Sequence, residues 1–150
     1  MRLMILNGPN LNLLGVREPH IYGSTTLAAV HKSCREFAAY LGASLIFELD
    51  MIQSARTTAD AIIINPAGYS FTSIAIYDAL KSFAGPIIEV HISNIHARDE
   101  LHRHSKLSAA AKGVICGLGP YGYIVAMQAA ARWLGKLPAT LPTPIRDGPQ

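Results

Sequence analysis

The hydrophobic positions of this chain fall into short, nearly continuous apolar runs separated by longer segments in which apolar residues recur at helical spacing. The short runs are typical of strands buried on both faces and lie at 2–7, 44–48, 61–65, 86–93 and 113–119. The longer segments predict helices at 27–41 and near 50–58, 72–83, 107–111 and 122–134. This alternation predicts an α/β fold of the flavodoxin-like kind, an open five-stranded parallel sheet with helices on both faces.

The sequence is consistent with a single domain over residues 1–150. Half of the 150 residues are hydrophobic, which is enough for one core. In the first long helix, Ser24 or Thr25 can cap the N-terminus and Gly42 can end the helix. The segment 138–150 is rich in proline and is predicted to be an irregular C-terminal tail.

Charge and cysteine content favour a soluble protein that handles small molecules. The net charge is +3, but the basic residues are dispersed apart from the segment 102–106, which favours a small anionic ligand over nucleic acid. Cys34 and Cys116 lie in apolar surroundings without metal-ligand spacing, so we expect free thiols in a reducing compartment. No apolar segment approaches the roughly 20 residues that span a bilayer, so we expect a cytoplasmic protein without membrane contact.

Polar side chains follow three of the predicted strands at their carboxyl ends. Asn7 and Asn10 follow the first strand, Asn65 ends the third, and His91 with Ser93 ends the fourth. Ligands of open parallel sheets bind at this edge. Backbone amides in these connections, including the start of the helix after the third strand, can receive an anion. Each residue alone could serve only a turn, but together they predict a binding site.

The fourth predicted strand places Glu89 and His91 on one face, two residues apart. A buried carboxylate beside a buried imidazole is costly unless the two groups pair. The pair is either a structural hydrogen bond or a device that sets the tautomer and charge of His91 so that it can deliver a proton. The position at the end of a strand favours the second interpretation.

The loop after the first strand, residues 5–23, is too long and too rich in Asn, Gly and Pro for a simple turn, and it carries Arg17 and Tyr22. It contains GPNLNLLGVREPHIYG, the first of four segments that resemble the type II 3-dehydroquinate dehydratases in order along the chain. The others are INPAGYSFTS, EVHISNIHAR and GLGPYGY. The resemblance implies the same fold, a dodecamer built from trimers, no metal or cofactor, and conversion of 3-dehydroquinate to 3-dehydroshikimate through an enolate.

The resemblance assigns removal of a proton to the first loop. Tyr22 matches the base that takes a proton from the carbon beside the ketone, while Arg17 and Arg98 match the cations that stabilise the phenolate. A phenol ordinarily ionises only near pH 10, so a phenolate base at neutral pH needs such cations. Asn10 matches the residue that holds a water on the enolate oxygen, which stabilises the developing charge.

The remaining roles fall on the carboxyl ends of the third and fourth strands. By resemblance, His91, positioned by Glu89, protonates the departing C1 hydroxyl group. Positions that match substrate contacts are Asn65, Ile92, Ser93, Arg98, His102 and, across a subunit interface, Asp78.

Two of the positions depart from the family pattern. Phe71 stands where the family usually has a His, and His102 stands where it usually has an Arg; both usual residues bind ring hydroxyls remote from the reacting carbon. Phe71 cannot hydrogen-bond, and His102 is shorter than Arg and only sometimes charged. A homologous lyase or binding protein for a different cyclic hydroxy acid is therefore the alternative function.

Two other functions of this fold lack the residues they need. A flavin-binding module requires phosphate-binding hydroxyls in its first loop, and GPNLNLLG contains none. A phospho-receiver requires carboxylates at the ends of the first and third strands, where Asn7 and Asn65 stand.

The junction between the second strand and the next helix is abrupt. In IFELDMIQ, Glu48 runs directly into Leu49, whereas the family has a polar loop of several residues there. A strand needs at least about two residues of connection before a packed helix. We expect residues to be missing between Glu48 and Leu49, with a Cα separation well above roughly 3.8 Å; a true deletion that shortened both elements is the alternative.

Overall fold

The computed structural model describes residues 1–16, 19–48 and 52–139. The strands in this part of the chain form one parallel sheet in the order β2-β1-β3-β4-β5, which is the order of flavodoxin-like folds. They are β1 Arg2–Asn7, β2 Ser44–Glu48, β3 Ala61–Asn65, β4 Ile87–His91 and β5 Gly113–Cys116. The predicted fold class is therefore confirmed.

The first three strands have the predicted bounds, whereas β4 and β5 end earlier than the apolar pattern suggests. β5 stops at Cys116 because Gly117 and Gly119 have φ angles of +82° and +59°, which turn the chain out of the strand. The Gly119 amide then donates to the carbonyl of Ile92 at 2.9 Å. This bond belongs to the connection beyond β4, so Ile92 and Ser93 lie past the strand and not within it.

Five helices accompany the strands in the described residues. They are α1 Pro19–Tyr22, α2 Leu27–Tyr40, α3 Ala55–Thr58, α4 Ile74–Lys81 and α5 Tyr121–Trp133. The predicted cap of α2 was wrong: Thr26, not Ser24 or Thr25, accepts from the amide of Ala29 at 3.2 Å. Gly42, with φ +62°, ends this helix as predicted.

The weaker helix predictions were too long. The segment 50–58 yields a single turn at Ala55–Thr58. Residues 49–51, and with them the expected gap after Glu48, lie outside the described residues. The helix predicted at 107–111 is a 3₁₀ turn, Leu107–Ala110. Of the predicted tail, residues 140–150 lie outside the described residues.

Alternate residues of the central strands point into two separate cores. Ile63 and Val90 pack with α2 and α5, where Met127 is fully buried. Ile62 and Ile87 pack on the other face with Leu80 of α4 and with Leu107. Because Glu89 and His91 follow Ile87 at two-residue intervals, they belong to this second face.

Compact turns form the connections at the carboxyl edge of the sheet. Besides Leu107–Ala110, 3₁₀ turns lie at Leu11–Leu13, Ala67–Phe71, Ile95–Ala97 and Glu100–His102. The Gly8 amide donates to the Asn65 carbonyl at 2.7 Å, and a Cβ at Gly8 would overlap the carbonyl of Pro66. Glycine at this position therefore lets the loop after β1 press against the loop after β3.

Candidate active site

A cavity of about 260 Å³ opens at the carboxyl edge of the sheet, between the connections that follow β1, β3 and β4. The predicted site residues that line it are Asn10, Tyr22, Asn65, His91, Ile92, Ser93, Arg98 and His102. A larger cleft of about 800 Å³ lies nearby, between the first loop and α4, but its lining is mostly apolar and Tyr69 is its one titratable residue among those described. The chemistry of the site is therefore concentrated in the smaller cavity.

Two other predicted site residues, Glu89 and Asp78, do not line this cavity. Glu89 is fully buried behind His91. Asp78 is exposed on α4. Arg17 lies outside the described residues.

The pair predicted in the fourth strand is formed. Glu89 Oε1 lies 2.6 Å from His91 Nε2, and the two residues are 0% and 4% exposed. The carboxylate also accepts hydrogen bonds from the hydroxyls of Ser105 and Ser108, each at 2.5 Å. Burial by itself would raise the pKa of Glu89, but these three hydrogen bonds outweigh burial and hold the pKa below its usual value.

The pairing leaves Nδ1 as the nitrogen of His91 that can serve the cavity. With Nε2 engaged by a carboxylate, the ring orientation is fixed, and a proton on Nδ1 can be given to a bound molecule. The arrangement therefore suits a general acid.

Tyr22 and Arg98 form the second functional pair. Tyr22 is the last residue of α1, and Arg98 follows the turn Ile95–Ala97 after β4. Arg98 Nη1 donates to Tyr22 Oη at 3.1 Å, and its guanidinium carbon lies 5.9 Å from the centre of the tyrosine ring. A guanidinium that donates to a phenol oxygen stabilises the phenolate more than the neutral phenol. The pair therefore suits a tyrosine that gives up its proton.

A buried polar chain anchors the ends of β1 and β3. Tyr123 of α5 is fully buried and donates to Asn7 Oδ1 at 2.6 Å, while Asn7 Nδ2 lies 3.3 Å from His31 Nε2. Burial raises the pKa of Tyr123, and a hydrogen bond with Asn65 partly opposes that shift. Asn65 Oδ1 also accepts from the Ala67 amide at 3.3 Å. The side chain of Asn65 is thus held in place by Tyr123 and by the Ala67 amide.

Phe71 and His102, the two departures from the family pattern, lie against each other in the cavity wall. Their ring centres are 5.2 Å apart at an interplanar angle of 84°, and Phe71 also lies 6.4 Å from the ring of His91. His102 Nδ1 is 2.8 Å from both carboxylate oxygens of Asp99, and this bond lowers the pKa of Asp99. The wall therefore offers an apolar ring and one oriented imidazole where two hydrogen-bonding side chains were expected.

Sequence reasoning missed Ser105, Ser108, Tyr123 and Asp99. The serines lie 16 and 19 residues beyond Glu89 in the chain, so no local spacing links them to it. Their presence could have been predicted only from chemistry. A buried carboxylate can accept several hydrogen bonds, so a glutamate with one histidine partner needs further donors, and hydroxyl groups can supply them.

Neither a metal cluster nor a membrane helix is found in the described part of the chain. No group of three or more His, Cys, Asp or Glu side chains in those ranges is placed to hold a metal ion. No helix there is long and apolar enough to cross a bilayer.

Residues 1–131 match the family model of Dehydroquinase class II. The chain is 53% identical over 137 residues to the catabolic 3-dehydroquinase of Emericella nidulans, with 86% of this chain and 90% of the relative covered. It is 47% identical over 135 residues to 3-dehydroquinate dehydratase 1 of Agrobacterium fabrum, with 85% and 93% covered. The crystal structure of a type II dehydroquinase from Butyrivibrio crossotus superposes with a TM-score of 0.83 at 35% identity, covering 87% and 97% of the two chains.

Proposed function

The chain belongs to the Dehydroquinase class II family, and we propose that it is a hydro-lyase that converts 3-dehydroquinate to 3-dehydroshikimate. The observation that carries this proposal is the convergence of two pairs on one small cavity. Tyr22 with Arg98 supplies a base with its stabilising cation, and His91 with Glu89 supplies an acid with its orienting carboxylate. An elimination needs both, one for the proton that leaves carbon and one for the departing hydroxyl.

The first step is removal of the proton from the carbon beside the ketone. The Tyr22 phenolate takes this proton, and the electron pair moves onto the ketone oxygen to give an enolate. Arg98, together with Arg17, stabilises the phenolate before transfer. Asn10, which lines the cavity and has a left-handed backbone with φ 67°, holds a water against the enolate oxygen.

The second step is loss of the C1 hydroxyl. The enolate collapses, the carbon–oxygen bond at C1 breaks, and His91 gives its Nδ1 proton to the departing oxygen, which leaves as water. Glu89 stays anionic and keeps hold of Nε2 throughout, so the imidazole finishes neutral in a defined tautomer.

Substrate binding relies on the carboxyl ends of β3 and β4. Asn65 and the backbone of Ile92 and Ser93 bind the substrate carboxylate in this proposal, and all three line the cavity. Arg98 and His102 add positive charge or hydrogen bonds at its rim. No metal or cofactor takes part in these steps.

The alternative, a lyase or binding protein for a different cyclic hydroxy acid, is not favoured. Phe71 and His102 alter one wall of the cavity, but they leave both proton-transfer pairs in place. A mere binding protein would have no use for a base and an acid held by separate partners.

The proposal includes a cytoplasmic homo-oligomer built from trimers, with a dodecamer as the full assembly. Asp78 is exposed on α4 and does not line the cavity of its own chain, which suits a residue that reaches a neighbouring subunit's site. Light scattering of the purified protein tests this, and a monodisperse monomer would contradict it.

Incubation with 3-dehydroquinate, followed by the absorbance of the conjugated enone product, tests the activity. We expect turnover by the native enzyme, and nearly none by Tyr22→Phe, which should still bind substrate because little contact area is lost. Tyr40→Phe is the matched control, since Tyr40 is an exposed phenol that stacks on Phe37 away from the cavity. Absence of enone formation by the native enzyme would refute the function, and normal turnover by Tyr22→Phe would exclude Tyr22 as the base.

A further inference from the structure

The carboxylate of Glu89 is held by donors on both of its oxygens. Oε1 accepts from His91 at 2.6 Å and from Ser105 at 2.5 Å, and Oε2 accepts from Ser108 at 2.5 Å. Glu89 itself is 0% exposed, so bulk solvent does not reach its carboxylate. Two of its three donors are serine hydroxyls.

The two serines belong to a segment that the fold fixes firmly. Ser105 Oγ accepts from the Leu107 amide at 3.2 Å, which commits the hydroxyl proton to Glu89. Leu107 is 1% exposed and belongs to the core on the α4 side. The Lys106 amide donates to the carbonyl of Ser70 at 2.8 Å, which joins this segment to the loop after β3. The hydroxyls are thus presented by a rigid backbone.

Where the proton lies in a buried Glu–His pair depends on the other partners of the two groups. In a dry environment the neutral pair, with the proton on the carboxyl group, competes with the ionic pair. Hydroxyls that donate to the carboxylate stabilise its charged form and make it a weaker base. Among the described residues, His91 is the titratable side chain whose charge acts on Glu89, while Lys106, between the two serines, is exposed.

We infer that Ser105 and Ser108 are positioning residues that keep Glu89 anionic and so keep a proton on His91 Nε2. This inference deepens the proposed function, because an imidazole that retains its Nε2 proton can give up the Nδ1 proton to the departing hydroxyl. Without the two donors, Glu89 becomes the stronger base of the pair and draws the proton away from His91. The serines thus act through Glu89 and His91 without touching the substrate.

The kinetic test compares Ser105→Ala, Ser108→Ala and the double variant with the native enzyme. We expect kcat to fall about tenfold for each single variant and about a hundredfold for the double variant, with KM changed by less than about twofold. The acidic limb of the kcat profile should move to higher pH, because Glu89 then takes up a proton more readily. Ser105→Thr and Ser108→Thr retain the hydroxyl and should restore most of kcat and the native pH profile.

Ser82→Ala is the matched control. Ser82 Oγ donates to the carbonyl of Ala79 at 2.7 Å at the end of α4, so the substitution deletes a comparable hydrogen bond away from Glu89. We expect no change in kcat or in its pH profile. Alanine variants that match Ser82→Ala in kcat and pH profile, or that lose kcat without recovery in the threonine variants, would overturn the inference.

A second measurement does not depend on the substrate. In protein labelled with ¹⁵N at histidine, the Nε2 proton of His91 should give a downfield, slowly exchanging resonance in the native protein and in Ser82→Ala. This resonance should be lost in the single alanine variants. A native protein that gives this pattern but forms no enone would refute the proposed function and leave the positioning role intact. An unchanged resonance in both alanine variants would refute the positioning role itself.

Discussion

Removing the guanidinium of Arg98 should slow the reaction through Tyr22. The bond from Arg98 Nη1 to Tyr22 Oη is 3.1 Å long. At this separation, Coulomb's law gives about 1.3 kcal/mol of attraction between a phenolate and a guanidinium in water, and about 5 kcal/mol at an effective dielectric constant of 20. Hydrogen bonds to charged groups measured in proteins, about 1.5–3 kcal/mol, fall within this range. A loss of about 2 kcal/mol corresponds to roughly a thirtyfold fall in rate.

Arg98→Met, which keeps a flexible side chain but no charge, should therefore lower kcat by roughly thirtyfold. Arg98→Lys should lie between Arg98→Met and the native enzyme, because an ammonium supplies the charge without the planar fork. The assay is the initial rate of enone formation at saturating 3-dehydroquinate, with Arg56→Met on α3 as the control for loss of a basic residue remote from the cavity. A kcat for Arg98→Met within about twofold of the control would refute the role of Arg98 in stabilising the phenolate.

Four further predictions concern the wall, the anchor and the buried titratable groups. The double substitution Phe71→His and His102→Arg should lower KM more than it raises kcat, for roughly a thirtyfold gain in kcat/KM at about 1 kcal/mol per hydrogen bond; loss of activity would mean that the wall already fits its own substrate. Tyr123→Phe leaves Asn7 Oδ1 without its 2.6 Å donor and should lower the free energy of unfolding, measured with urea, by about 1–3 kcal/mol. An unchanged unfolding midpoint would show that this hydrogen bond does not anchor the strand ends. The folded protein lowers the pKa of Glu89 below its ordinary 4.5, so the ionised carboxylate stabilises the fold fully above pH 4.5, and this stabilisation is lost as the pH falls through the pKa of the folded state. In Glu89→Gln the free energy of unfolding should therefore decline less steeply in acid. A decline as steep as that of the native protein would contradict the lowered pKa of Glu89. Burial raises the pKa of the Cys34 thiol to about 11, so a thiol reagent at pH 8 should modify Cys34 only after denaturation, and rapid labelling of the native protein at Cys34 would contradict its burial.

The sheet could be predicted because its strands are buried on both faces. In β3 all five residues are buried, and a run of this kind leaves little freedom in where a strand begins and ends. The end of β4 was harder to predict, because Ile92 continues the apolar pattern of the strand. In the structure its carbonyl accepts a hydrogen bond from Gly119, in the glycine turn after β5, and the residue lies beyond the strand. None of the 3₁₀ turns was predicted as such, since three to five residues do not establish a period, and the turn Leu107–Ala110 was predicted as a helix.

The candidate site could be predicted where its residues sit at strand ends. Asn10, Asn65 and His91 all follow or end strands, and the carboxyl ends of parallel strands lie at the same edge of a sheet. Their convergence on one cavity therefore follows from the parallel topology. Tyr22 and Arg98 meet across 76 residues of chain, and only resemblance to a known family linked them in the sequence. The hydroxyls on Glu89 were missed because serine is common in turns and its local pattern says nothing about a distant carboxylate.

The arrangement explains how one wall of the site can change while the proton-transfer groups persist. His91 takes its orientation from Glu89, which is held in turn by Ser105 and Ser108. Phe71 and His102 lie on the cavity side, and His102 is held by Asp99 within its own turn. The two groups of residues are not fully separate, because the rings of Phe71 and His91 lie 6.4 Å apart between centres, at an interplanar angle of 25°. A polar side chain at position 71 would therefore change the surroundings of the acid as well as the grip on the substrate, so the Phe71 single variant should alter kcat more than the His102 single variant does.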